Sequence, residues 1–83
     1  MPKVEIYTMN FCPYCKRAKA LFDSLNIDYT EIDVSNDDKK MQELTAQTGS
    51  MTVPQIFIDG TFYGGCDDIM ALHKTGELKE LLK

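Results

Sequence analysis

Val4-Glu5-Ile6-Tyr7-Thr8, followed by Cys12-Pro13-Tyr14-Cys15 and an apolar stripe as far as Leu25, is the stretch that decides the fold. The first five residues alternate and are rich in β-formers, which predicts a strand. Over 13–25 the period changes: Cys15, Ala18, Phe22 and Leu25 recur at helical spacing, with Leu21 beside them. Pro13 suits the first helical position, where a missing N–H costs nothing. The two cysteines therefore stand where a strand gives way to a helix, one turn apart. At that spacing their Cα atoms fall within the about 4.4–6.8 Å that a disulfide tolerates, so the pair opens and closes with little backbone movement. Such a site accepts or donates two electrons and implies thiol–disulfide oxidoreduction.

Downstream, Asn26 is placed to stop the helix. Residues 29–34 read as a second strand, with Tyr29, Glu31 and Asp33 alternating against Ile32 and Val34. Ser35 or Asn36 is expected to cap a second helix running to about Thr48, with Met41, Leu44 and Thr48 facing inward and Gly49 ending it. Residues 54–58 form a third strand. Asp59-Gly60 is a two-residue hairpin signal, so 61–63 return antiparallel. Gly64-Gly65 breaks that strand. A third helix runs from Cys66 to about Lys74, and 77–82 add a last turn or two. The order is βαβ, then αββα. A βαβ crossover makes parallel strands with a right-handed connection. The expected α/β architecture is a four-stranded mixed sheet with helices on both faces, the minimal thioredoxin-like layout, as one domain over 1–83.

The chain has 83 residues, 43% of them hydrophobic, and a net charge of −4. That length suits one domain, and the composition argues against disorder. An acidic chain without a basic patch is not built for nucleic acid. No apolar run approaches the roughly 18 residues of a membrane span. Three cysteines is an odd count, and Met1-Pro2-Lys3 precedes no export-type apolar segment. These features predict a cytoplasmic protein rather than a disulfide-framework one.

Three motifs carry the chemistry. At Cys12, the free N–H groups of the helix's first turn and its dipole favour a thiolate. Lys16, Arg17 and Lys19 crowd the same end, where positive charge is normally unfavourable, and a thiolate counter-charge explains them. Cys15 falls on the apolar stripe and should be shielded. Cys12 is therefore read as the nucleophile and Cys15 as the resolving thiol. Zinc would need Cys66 and His73 as further ligands, at a spacing that matches no common zinc knuckle, so no metal is expected. The second motif is Thr52-Val53-Pro54. A cis Val53–Pro54 bond would leave the Val53 backbone free beside Cys12, where an extended thiol peptide can pair as an added strand. The third is Gly64-Gly65-Cys66-Asp67-Asp68. Glycine admits a ligand backbone closely, helix-terminal amides hold a carboxylate, and an Asp holds an amino group; an α-amino acid head would suit. A plainer reading makes Asp67 or Asp68 a helix cap, and Cys66 a packing residue.

Taken together, these motifs resemble the glutaredoxin family, in its dithiol Cys-Pro-Tyr-Cys form, over essentially the whole chain. The resemblance implies a glutathione-dependent reductase of protein disulfides and protein–glutathione mixed disulfides. Glutathione would be its co-substrate, no cofactor would be tightly bound, and it would act as a monomer. It assigns Tyr14 as a lining contact and Val53 as the partner of the glutathione cysteinyl backbone. Thr52 and Pro54 would shape the groove. Gly65, Cys66 and Asp67, with Asp68 nearby, would take the γ-glutamyl head. Two positions depart from the family pattern: a lysine usually stands where this chain has Met9, and a polar or basic residue where it has Ala46, with Gln47 adjacent. The alternatives are an iron–sulfur carrier using Cys12 from two chains and two glutathiones, against which Pro13 argues, and a redoxin served by a flavoprotein reductase.

Overall fold

Alternation in β1 (Val4–Thr8) sorts its side chains onto two faces, burying Val4, Ile6 and Thr8 on one of them. The computed structural model describes residues 2–83. After β1 come α1 (Pro13–Ser24), β2 (Thr30–Asp33), α2 (Asp38–Thr48), β3 (Gln55–Ile58), β4 (Thr61–Gly64), α3 (Cys66–Thr75) and α4 (Glu77–Leu81). The sheet order is β2-β1-β3-β4. β1 and β2 run parallel, while β1–β3 and β3–β4 are antiparallel. The expected mixed four-stranded sheet is thus present, with β1 and β3 at its centre.

Each face has its own core. Ala18 and Phe22 of α1, Ile69 of α3 and Leu78 of α4 pack on Val4, Ile6, Ile56 and Ile58. On the other face, Leu44 of α2 meets Val34 and Phe57, with Met9, Met41 and Val53 packed at the margin. Tyr7 meets Phe57 edge-on, ring centroids 5.5 Å apart. Glycine-like backbone marks the turns where the sequence placed them. Asn26 takes φ 56° just past α1, and Asp59 and Gly60 both take positive φ, the twist a two-residue hairpin requires.

One boundary differs from the sequence reading. Asp37, not Ser35 or Asn36, caps α2, its Oδ1 accepting from the Lys40 N–H at 3.0 Å. Ser35 is used elsewhere: its Oγ accepts from the Asn10 N–H at 2.6 Å, and its own N–H donates to Asp33 Oδ1 at 2.8 Å. The β2–α2 connection is therefore spent on anchoring the loop that leads into Cys12.

Candidate active site

Cys12 is the N-cap of α1. Its backbone is extended (φ −106°, ψ 103°), its carbonyl accepts from the Lys16 N–H, and Pro13 follows at the first helical position. Its sulfur takes the place of a capping oxygen, accepting from the Cys15 N–H at 3.1 Å. The helix end thus donates a hydrogen bond to the Cys12 sulfur, an arrangement that would favour negative charge there. Cys12 and Cys15 are joined as a disulfide, with Cα atoms 5.2 Å apart. Cys15 is 2% exposed, whereas Cys12 is half-buried. Access to the pair is through Cys12.

The basic residues are arranged differently from the expectation that all three face the thiol. Lys19 Nζ lies 2.9 Å from Glu31 Oε2, which also accepts from the buried Thr8 hydroxyl at 2.8 Å. The Lys19 hydrogen bond holds the Glu31 carboxyl below the usual carboxylate range, and Glu31 in turn raises Lys19. Lys19 is therefore a tie between α1 and β2. The Arg17 guanidinium sits over the Tyr14 ring, 5.4 Å from its centroid.

The Val53–Pro54 peptide bond is cis, and Val53 O is 3.8 Å from Cys12 Sγ. No acceptor among the described residues takes the Val53 N–H. A fully buried Gln55 holds this loop from beneath. Its Nε2 donates to Ser50 O (2.9 Å) and Thr52 O (3.1 Å), and its Oε1 accepts from Thr48 Oγ1 (3.1 Å). Every polar atom of that amide is thereby matched to the loop presenting Val53.

Beside the loop lies a groove of about 420 Å³, lined by Tyr14, Thr52, Pro54, Gly65, Cys66, Asp67 and Asp68. Seven of the ten residues expected at the site share this one groove, and Cys12 and Val53 meet at 3.8 Å. Gly64 of the third motif also lines it, and so do Ser50 and Phe62, which carried no site signal in the sequence. Phe62 pairs with Phe57 in the register that the Asp59-Gly60 turn sets, and a register shift beyond that pair brings Gly64 opposite Ile56. Asp68 is already engaged, its Oδ2 accepting from the Gly65 N–H at 2.9 Å. Asp67, exposed like Asp68, is the first-turn carboxylate of α3 with no hydrogen-bond or ion-pair partner among the described residues, beside first-turn N–H groups that need an acceptor. The Cys66 side chain points into the core, and burial pushes its thiol up. A separate cleft is lined by Met41, Gln42, Ala46 and Met51 with Asp38 and Thr45; Gln47 is not among its lining residues. Among the described residues, no group of three or more His, Cys, Asp or Glu side chains is placed to hold a metal ion. No helix there is long and apolar enough to cross a membrane.

A redox-capable cysteine pair capping the first helix, with a cis-proline loop against its sulfur, defines a thioredoxin-like thiol–disulfide site. The sequence pattern of the glutaredoxin family matches residues 4–63. The chain is 48% identical to glutaredoxin 3 of Escherichia coli K12 over 83 residues, all of both chains. The buckwheat glutaredoxin–glutathione complex superposes with TM-score 0.93 at 36% identity, covering 98% of this chain and 76% of that one. The solution structure of a Brucella melitensis glutaredoxin gives TM-score 0.89 at 46% identity, covering 100% and 90%. The chain belongs to the glutaredoxin family. It is an enzyme of that family's kind, a glutathione-dependent thiol–disulfide oxidoreductase.

Proposed function

We propose that Cys12 is the nucleophile of this oxidoreductase, Cys15 its resolving thiol, and the groove beside them the seat of glutathione. The observation that carries the reading is the N-cap bond from the Cys15 N–H to Cys12 Sγ, joined to the near-complete burial of Cys15. With a protein–glutathione mixed disulfide, the Cys12 thiolate attacks the glutathionyl sulfur. That S–S bond breaks, the protein thiolate leaves and takes a proton from water, and glutathione stays on Cys12. A second glutathione thiolate then displaces it, giving glutathione disulfide and free Cys12. With a protein disulfide, Cys12 attacks one sulfur, and Cys15 displaces the substrate to leave the Cys12–Cys15 disulfide. Two glutathiones reduce that bond in turn.

In this reading the Val53 N–H and C=O pair with the cysteinyl backbone of glutathione. Tyr14, Thr52 and Pro54 wall the groove. The first-turn amides of α3 after Gly65 hold the γ-glutamyl carboxylate, and Asp67 holds its amino group. Asp68 acts one step back, by fixing the Gly65 backbone. Among the described residues no acceptor takes the Val53 N–H and no partner takes the Asp67 carboxylate, which supports these assignments. Residues 1–83 acting as one monomeric domain, in the cytoplasm, on disulfide-bonded or glutathionylated proteins, complete the proposal.

The test is a pair of substitutions assayed on two substrates. Cys15→Ser should retain activity on a small glutathione mixed disulfide, because only the nucleophile is needed to remove one glutathionyl group. It should lose most activity on protein disulfides. Cys12→Ser should lose both, and retained deglutathionylation in Cys12→Ser would reverse the roles.

A further inference from the structure

The groove accounts for glutathione but leaves one prominent residue unused. Phe11 immediately precedes Cys12, is 96% exposed, and takes φ 57°, in the left-handed region that bulky side chains seldom enter. It does not line the groove, where the aromatic residues are Tyr14 and Phe62. Two exposed rings thus neighbour Cys12 along the chain, Tyr14 at the groove and Phe11 outside it. Reduction of a protein disulfide passes through a covalent Cys12–substrate bond. That bond brings the substrate cysteine's Cα to within about 4.4–6.8 Å of the Cys12 Cα. The Phe11 Cα is about 3.8 Å from the same point. Residues adjacent to the attacked cysteine must therefore pass within reach of the Phe11 ring, on a surface continuous with the exchange site.

We propose that Phe11 is a specificity-determining contact for protein substrates, favouring disulfides whose attacked cysteine is flanked by an apolar side chain. The proposal rests on the reading of Cys12 as nucleophile. The ring presents an apolar face and has no polar handle, so it gains from covering Leu, Ile or Met and gains nothing from Ser or Asp. The small glutathione moiety, seated on the Tyr14 side, does not use it.

The experiment uses two short peptides closed by an intramolecular disulfide, identical except for Leu or Ser beside each cysteine. Each is normalised to its uncatalysed reaction with glutathione. The native protein should favour the Leu peptide by about threefold to tenfold in kcat/KM, which corresponds to about 0.7–1.4 kcal/mol. Phe11→Asn, whose new side chain tolerates positive φ, should bring the ratio to about one, and Phe11→Leu should keep most of it. On a cysteine–glutathione mixed disulfide all three proteins should turn over equally. Equal rates on the two peptides with the native protein would overturn the proposal. So would a Phe11→Asn variant slowed equally on every substrate, or a native dimer that this substitution disperses, which would assign the ring to contact between copies. No turnover of the small mixed disulfide by the native protein would instead overturn the reading beneath the proposal, and the proposal with it.

Discussion

Gln55 shows how a residue without chemistry of its own can govern a site. It is fully buried, and its amide bridges Thr48, Ser50 and Thr52. Gln55→Ala would leave two loop carbonyls without their donor, at a cost of about 1–3 kcal/mol. Because those carbonyls fix the approach to Val53, the KM for glutathione should rise as well; denaturant titration and a glutathione-coupled assay measure the two effects. An unchanged KM beside lowered stability would make Gln55 a packing residue only. Met9 offers the opposite case. It is half-buried at the margin of the second core, so Met9→Lys can keep its stem on that surface while its ammonium reaches solvent. A charge gained at the exposed rim is worth roughly 0.2–1 kcal/mol, at most a few-fold fall in the KM for glutathione, shrinking with salt. The family's lysine at this position is expected near the glycyl carboxylate of glutathione, so an unchanged or raised KM at low salt would show that another group already holds that carboxylate. Cys12, Cys15 and the Thr52-Val53-Pro54 segment were legible from sequence because each announces itself by local spacing. The partners of Gln55 and Lys19 were not, because they come from long-range packing that no neighbouring residue encodes.

Elements meet the site at two junctions. Between β4 and α3, Gly64 takes φ 106°, and a Cβ there would overlap the Asp68 carboxylate. Gly64→Ala combines left-handed strain with displacement of Asp68 from the Gly65 N–H. It should cost about 1–3 kcal/mol and weaken glutathione binding, read as a lower melting temperature and a higher KM together. Loss of stability with normal KM would separate the capping role of Asp68 from the groove. Between α1 and β2, the Lys19–Glu31–Thr8 tie has a defined pH window. The Glu31 carboxyl is lowered from 4.5 by Lys19 first and Thr8 second, so its contribution is complete above that value and is lost as pH falls below it. Lys19 is raised from 10.5, so its share disappears only as pH climbs beyond that. Glu31 is more than a third exposed, so Glu31→Gln should cost less than about 1 kcal/mol at pH 7. The difference from the native protein should shrink as pH falls below 4.5. A constant difference from pH 7 to pH 3 would mean that shape rather than charge makes the tie. Helix and strand periods located every element within a residue or two. The cap of α2 was misplaced because Ser35 and Asp37 are both good caps, and only the fold reveals that Asn10 claims Ser35.

Across the whole molecule, the layout follows from two alternations, one in β1 and one in β3. Ile56 and Ile58 face the α1–α3–α4 core, whereas Phe57 faces α2. The sequence makes this architecture legible because Asp59-Gly60 fixes the hairpin and the βαβ unit fixes the handedness. The register shift that sets Gly64 opposite Ile56 lies beyond its reach. Every residue of β3 is buried, and the strand is bonded on both sides, whereas β2 is an edge with three of its four residues exposed. This contrast has a consequence for isotope labelling. Amide protons at 56–58 should survive longest in deuterated buffer, released only when the sheet opens as a whole, while those of β2 should wash out through local fraying. The Val53 loop is spliced onto the slow-exchanging strand, so cycling the cysteines between oxidised and reduced forms should alter labelling around 11–16 and leave 56–58 untouched. Faster deuteration of 56–58 than of β2 would show that the recognition loop hangs from a hinge rather than from an anchor.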